Sequence, residues 1–156
     1  MAKTVHVADQ TPASPERVLE AARDFSERRS ALWPDVHAEH FVVHQAGEGF
    51  AEVTEGNPSP IGPFWERLRY DWSEPGTIKA VVIDSNIFRP GSTWEITATP
   101  ADGGSRVAVT MVREFKGLKG RLVGTIMIRT GLAKRTSARH LRHFLAQLDG
   151  VRPGET

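Results

Sequence analysis

From residue 37 to residue 116 the chain is patterned with a period of two and punctuated by glycine turns. Gly47-Glu48-Gly49, Pro75-Gly76 and Asp102-Gly103-Gly104 each separate two runs rich in Val, Ile, Thr and aromatic residues. Such a turn between alternating runs is the mark of an antiparallel hairpin, with glycine supplying the positive φ. Three hairpins predict six consecutive strands. After Lys116 the period changes: from about Leu118 to Leu148 there is no proline, and helix formers dominate. Six strands running into one long helix leave few architectures, because the helix must bury its apolar face on the sheet.

The first residues complete the pattern. Residues 3–8 (Lys-Thr-Val-His-Val-Ala) alternate and predict a short first strand. In "TPASPERVLEAARDF", Ser14 is an N-cap, Pro15 occupies the first helical position and Glu16 favours the positive end of the dipole. Val18, Leu19, Ala22 and Phe25 then share a face. Ser26 starts a second short helix, "SERRSALW", which Pro34 ends. In the C-terminal helix Val123, Ile126, Leu141, Phe144 and Leu148 share one face, and Arg121, Arg135, Arg139 and Arg142 the opposite one. Gly120, Gly124 and Gly131 weaken its start, so a kink or irregular first turns are expected. The expected organisation is one α+β domain over 1–156, ordered over about 3–148, with a frayed C-terminal tail.

Composition excludes several functions. There is no cysteine, hence no disulfide, thiol nucleophile or cysteine-ligated metal. The N-terminus "MAKTVHVADQ" has no apolar signal core, and no apolar run approaches the roughly 20 residues of a membrane helix. A cytoplasmic protein with no integral membrane association is expected. Net charge is only +1, yet it is unevenly spread. Residues 1–60 hold ten Asp/Glu against five Lys/Arg; Lys116 to Leu148 hold eight Lys/Arg, two His and no acid.

Three segments carry a family likeness: "SPERVLEAARDF", "LWPDV" after the second helix, and Gly91 onward, whose "WEITATPADGGSRVAVT" spans the last hairpin. They resemble the START/SRPBCC superfamily, and within it the bacterial polyketide cyclase/dehydrase and lipid-transport-like families. The resemblance covers roughly residues 3–148. It implies the helix-grip fold: a curved seven-stranded antiparallel sheet wrapped around the long C-terminal helix, with two short helices between the first two strands. It also implies an apolar cavity between sheet and helix that holds lipids, polyketides or other hydrophobic molecules. Fold alone does not choose between carrying a ligand and transforming it.

Alternation assigns the inward faces. Phe64, Glu66, Leu68, Tyr70 and Trp72 are expected inward, as are Ile78, Ala80 and Val82, then Trp94, Ile96 and Ala98, then Val107, Val109, Met111, Arg113 and Phe115. On the helix, small Thr130, Ala133 and Ser137 lie between bulky Ile126 and Phe144, which would leave space against the sheet. Expected lining residues are Trp33, Phe41, Phe64, Leu68, Tyr70, Trp72, Trp94, Ile96, Val109, Met111, Ile126 and Ala133, with Glu66 and Arg113 as polar anchors. The same aromatic residues could instead fill a tight core. Glu66 and Arg113 admit three readings: a pair orienting a polar ligand group, a general acid/base at Glu66, or a plain ion pair or bulge.

Other chemistry is sparse. There is no nucleophile elbow, Walker loop or dinucleotide fingerprint, and no cofactor is expected. "HAEHFVVH" (residues 37–44) gathers three histidines, but Phe41-Val42-Val43 predicts a strand. On a strand His40 and His44 stand about 13 Å apart, too far to share a zinc ion. Phe41 and Val43 should then lean towards the cavity, away from His40 and His44. His140 and His143 lie three apart on the last helix without a carboxylate nearby in sequence, which favours a helix-dipole role over a metal. The arginine-rich helix could meet nucleic acid or anionic membranes, although few aromatics interleave with it, which argues against nucleic acid. Nothing in the sequence sets an oligomeric state. The expected function is binding of a hydrophobic small molecule; the alternative is a polyketide cyclase/aromatase-like enzyme using the same cavity with proton transfer assisted by Glu66.

Overall fold

The computed structural model describes residues 2–60 and 62–149. Strand β1 (Lys3–Thr11) leads to helix α1 (Pro15–Ala22) and a single helical turn, α2 (Arg29–Leu32). A 3-10 turn over Ala38–His40 precedes β2 (Val42–Gly47), β3 (Phe50–Asn57), β4 (Phe64–Asp71), β5 (Thr77–Ser85), β6 (Thr93–Ala101) and β7 (Gly104–Arg113). Helices α3 (Gly117–Arg129) and α4 (Leu132–Asp149) follow. The tail from Gly150 onward, expected to fray, lies outside the described residues.

The seven strands form one antiparallel sheet in the order β1-β7-β6-β5-β4-β3-β2. β2 to β7 run as a meander, and β1 pairs with β7 from Lys3–Arg113 to Thr11–Ser105. This is the helix-grip arrangement expected from the sequence. Inward alternation holds on β4 to β7: Leu68, Tyr70, Ile78, Ala80, Val82, Ile96, Val107 and Val109 are buried. They share a core with Leu141, Phe144, Leu145 and Leu148 of α4 and with Val18 and Ala22 of α1. α1 starts as expected, with Ser14 Oγ accepting from the Arg17 amide at 3.3 Å. Trp33, just after α2, stacks on Phe144 at 4.3 Å and meets Trp94 edge-on at 5.5 Å, which binds the first helical segment to the last.

Two expectations are corrected. The strand predicted from His37 begins only at Val42, and Ala38–His40 form a 3-10 turn. The His37 amide donates to the Gly56 carbonyl, so the chain turns there before joining the sheet. β2 is then an edge strand, exposed along its whole length; Val43 is 41 % exposed and does not lean into the core. The second correction concerns the C-terminal helix, which is two helices. Gly131 takes φ of 73°, a left-handed conformation that ends α3 and lets α4 restart in a new direction. A break resets the helical phase, so Ile126 and Thr130 are exposed instead of sharing a face with Phe144.

Gly104 shows how tightly the sheet is closed against the β1–α1 corner. A Cβ there would overlap the backbone of Thr11 and Pro12, neither of which can yield as a side chain could. Gly103, with φ of 76°, has open space around it. Gly104→Ala should therefore destabilise the protein by several kcal/mol, while Gly103→Ala should cost only about 1 kcal/mol of left-handed strain. Urea denaturation of both variants measures the contrast.

Candidate ligand site between the sheet and the C-terminal helices

An open pocket of about 460 Å3 lies where α3 and α4 face β1, β7 and β4. Its walls are mostly apolar: Val5, Phe64, Ile87, Phe88, Met111, Phe115, Val123, Met127, Ile128 and Ala133. Phe88 organises one side, meeting Phe64 at 5.7 Å and Phe115 at 5.2 Å, both edge-on. Lys3, Asn57, Ser59 and Thr136 also border it, and at one end Asp35, Glu66, Arg113, Ser137 and His140 border both this pocket and a smaller cavity. That inner cavity, about 70 Å3, is lined further by Arg29, Trp33, Glu55, Leu68, Tyr70, Trp94, Val109 and Leu141. The body of a hydrophobic molecule fits the outer space; only a small polar end fits the inner one.

Glu66 and Arg113 meet at the junction, Arg113 Nη1 donating to Glu66 Oε2 at 3.3 Å. Both point inward because each sits at an inward position of its strand, and the long arginine reaches past two intervening strands. The guanidinium also lies over Phe88, 4.5 Å from the ring centre. Burial raises the Glu66 pKa to about 7; Arg113 opposes that rise, while the charges of Glu55 and Asp35 add to it. Glu55 is the direct cross-strand partner of Glu66 on β3. His140 Nδ1 stands 3.8 Å from Asp35 Oδ1 on the opposite wall.

Behind this pair lies a buried network. Arg29 Nε donates to Glu55 Oε1 at 3.0 Å, Nη1 to the Ala22 carbonyl at 2.7 Å and Nη2 to the Tyr70 hydroxyl at 2.9 Å. Tyr70 in turn donates to Glu55 Oε2 at 3.0 Å. Burial opposes the Arg29 charge, yet Glu55 and Tyr70 hold its pKa above the ordinary arginine value. Burial first, then the Glu55 charge, pushes the Tyr70 pKa well up, so it stays a donor. Among the described residues, the indole Nε1 of Trp33 is a buried donor with no hydrogen-bond partner.

Comparison with known proteins gives this geometry a context. The family described as "Polyketide cyclase / dehydrase and lipid transport" matches residues 2–149. The chain belongs to that family. No curated protein sequence matches it. Among solved structures it is similar to a protein from Thermus thermophilus, with 16 % identity and a TM-score of 0.76, covering 92 % of this chain and 95 % of that one. The Zhui aromatase/cyclase from a Streptomyces species is similar over 96 % of this chain and 94 % of its own, at 13 % identity and a TM-score of 0.74. A START superfamily protein from Mycobacterium smegmatis shares 16 % identity with a TM-score of 0.65, over 95 % and 97 % of the two chains. Identities this low establish a shared fold and nothing finer.

Within this family member, most of the expected lining positions border the two cavities: Trp33, Phe64, Glu66, Leu68, Tyr70, Trp94, Val109, Met111, Arg113 and Ala133. The structure places others elsewhere. Ile96 is fully buried among core side chains. Trp72 lies past the end of β4 and stacks on Phe25 at 6.0 Å. Phe41 borders a separate surface depression with Phe25 and Ala38, because the chain turns before β2. Ile126 is 52 % exposed on the outer side of α3. The helix-dipole account of the two late histidines also yields to specific partners. His143 Nε2 donates to the Ala31 carbonyl at 2.8 Å, and His140 faces Asp35. Sequence reasoning missed Arg29, Asp35 and Glu55, and gave His140 only a helix-dipole role. Glu55 was within reach, since it alternates with buried Ala51 and Val53 in "FAEVTEGN". Arg29, in the polar stretch "SERRS", carries no such signal.

Two outcomes follow from these environments. Arg29→Met should cost roughly 3–5 kcal/mol, because it leaves Glu55 buried without its cation; denaturant unfolding reports it. Glu66 holds a proton up to about pH 7 when folded but only to about 4.5 when unfolded. Between those values the folded state binds more protons, so Glu66 makes stability fall as pH rises through that window and then level off. Glu66→Gln mimics the protonated form and should remove that slope, an effect of at most roughly 3 kcal/mol between about pH 5 and about pH 8.

Proposed function

We propose that this protein binds a hydrophobic small molecule, a lipid or polyketide, that carries a carbonyl or hydroxyl group at one end. The carrying observation is the pocket of about 460 Å3 whose walls are mostly apolar and whose inner end carries the Glu66–Arg113 pair. A volume of this size is within the range of small-molecule sites, and the few convergent polar groups would orient what the walls hold. Arg113 donates to a ligand oxygen, and Glu66, protonated at or below about pH 7, can donate as well. The unpaired Trp33 indole N–H supports a ligand acceptor, since an unmet buried donor costs about 1–3 kcal/mol. Native mass spectrometry of freshly purified protein should show a co-purified hydrophobic compound. Ala133→Phe places a ring into the pocket and should weaken binding of that compound at least tenfold while leaving the circular dichroism spectrum unchanged. Equal binding by the variant would refute the assignment.

A second reading rests on a different observation: Glu66 is poised near neutral pH beside a fixed cation. Near pH 7 both of its forms are populated, which suits a general base. In a cyclase/aromatase-like reaction, the Glu66 carboxylate would take a proton from a carbon flanked by two carbonyls. Arg113 would stabilise the resulting enolate oxygen, the enolate carbon would attack a second carbonyl of the same chain, and protonated Glu66 would return its proton to the new alkoxide. The apolar walls would contribute by folding the chain into a reactive geometry. Family membership and the likeness in fold to the Zhui aromatase/cyclase support this reading. It predicts a rate that rises with pH through about 7 and falls roughly 100-fold or more in Glu66→Gln. Incubation with a poly-keto substrate mimic, followed by product analysis, tests it.

A further inference from the structure

Helix α3 is apolar on two sides, and the fold uses only one. Val123, Met127 and Ile128 line the pocket, and Gly124 sits so close to Phe115 that a Cβ would come within 2.5 Å of the ring. On the other side Leu118, Leu122 and Ile126 recur at four-residue spacing and are 85 %, 63 % and 52 % exposed. They form one ridge along the helix, with Arg129 in line and Lys119 and Arg121 flanking it, all exposed. α3 contains no acidic residue, and among the described residues none of these three cations has a carboxylate partner within salt-bridge distance. The absence of acids continues to the end of α4's basic stretch at Leu148.

We propose that α3 docks this protein on an anionic membrane surface, its Leu118–Leu122–Ile126 ridge entering the headgroup layer while Lys119, Arg121 and Arg129 meet lipid phosphates. A helix of 13 residues, about 20 Å long, is suited to lie in the interface plane and is too short to span it. The charge pattern selects this occupant over a second copy of the chain. A two-fold contact would press the same cations against each other, with no acid on the helix to offset them. A convex ridge also needs no complementary groove, and a bilayer interface offers none. The pocket opens beneath the same helix, so a docked protein would hold its pocket wall against the lipid phase. The inference does not depend on what the pocket binds, and its test uses no pocket ligand.

The test is co-sedimentation of the full chain with phosphatidylcholine vesicles, with and without phosphatidylglycerol. Binding should occur with the anionic vesicles at low salt and weaken as salt is added. L118S/L122S/I126S should lower the bound fraction at least tenfold, and R121E/R129E should do the same, with melting temperatures unchanged because these side chains are exposed. The chain has no cysteine, so L122C can carry a single environment-sensitive dye. Its emission should shift to the blue on anionic vesicles, whereas dye on I83C, exposed on the outer face of the sheet, should not respond. Three results would overturn the proposal: no binding to anionic vesicles at low salt, binding that survives the ridge variant, or a ridge variant whose only effect is to dissociate a dimer.

Discussion

The buried guanidinium of Arg29 holds together parts of the chain that are distant in sequence. It ties α2 to the end of α1 through Ala22, to β3 through Glu55 and to β4 through Tyr70. A cation this deep is tolerable only because every one of its bonds is made to a group fixed by a strand or a helix end. The rest of the site inherits that arrangement. Arg29 fixes the Glu55 carboxylate beside β4; burial is the main cause of the Glu66 pKa rising to about 7, and the Glu55 charge one strand away adds to it. A structural ion pair thus adds to an effect that burial begins.

The pocket is graded along its length. Aromatic and aliphatic side chains from the sheet and α3 form its wide part; the carboxylates, Arg113 and His140 close its narrow part. The gradient arises because α4 lays small residues, Ala133 and Ser137, over the sheet before its large ones, Leu141 and Phe144, take over and fill the core. Where the helix is thin the sheet stands open; where it is thick the core is solid.

Much of this was legible locally. Alternation on β4 to β7 placed Glu66 and Arg113 on the inner face, and the glycine turns located three hairpins. What failed did so where a long-range contact overrode a local pattern. "HAEHFVVH" has the composition of a strand, yet the His37 amide is claimed by Gly56 and the chain turns first. The even face of β4 continues to Trp72 on paper, but the strand stops at Asp71 and Trp72 packs on Phe25 instead. His140 has no acid near it in sequence because its acid, Asp35, arrives from the segment after α2.

The sequence by itself determined the order of elements, the inward face of β4 to β7 and the absence of thiol chemistry. These follow from the period of apolar residues, the positions of glycine and proline, and a simple count, all of which are properties of neighbours along the chain. Only the tertiary structure decided that Arg29, Glu55 and Tyr70 form one network, that Asp35 faces His140, and that the last helix breaks at Gly131. Side-chain burial and charge depend on distances through space, and the break at Gly131 was one of several that the glycines allowed. That choice turned Ile126 from a pocket residue into part of an exposed ridge, because a helix that stops and restarts carries no phase across the gap.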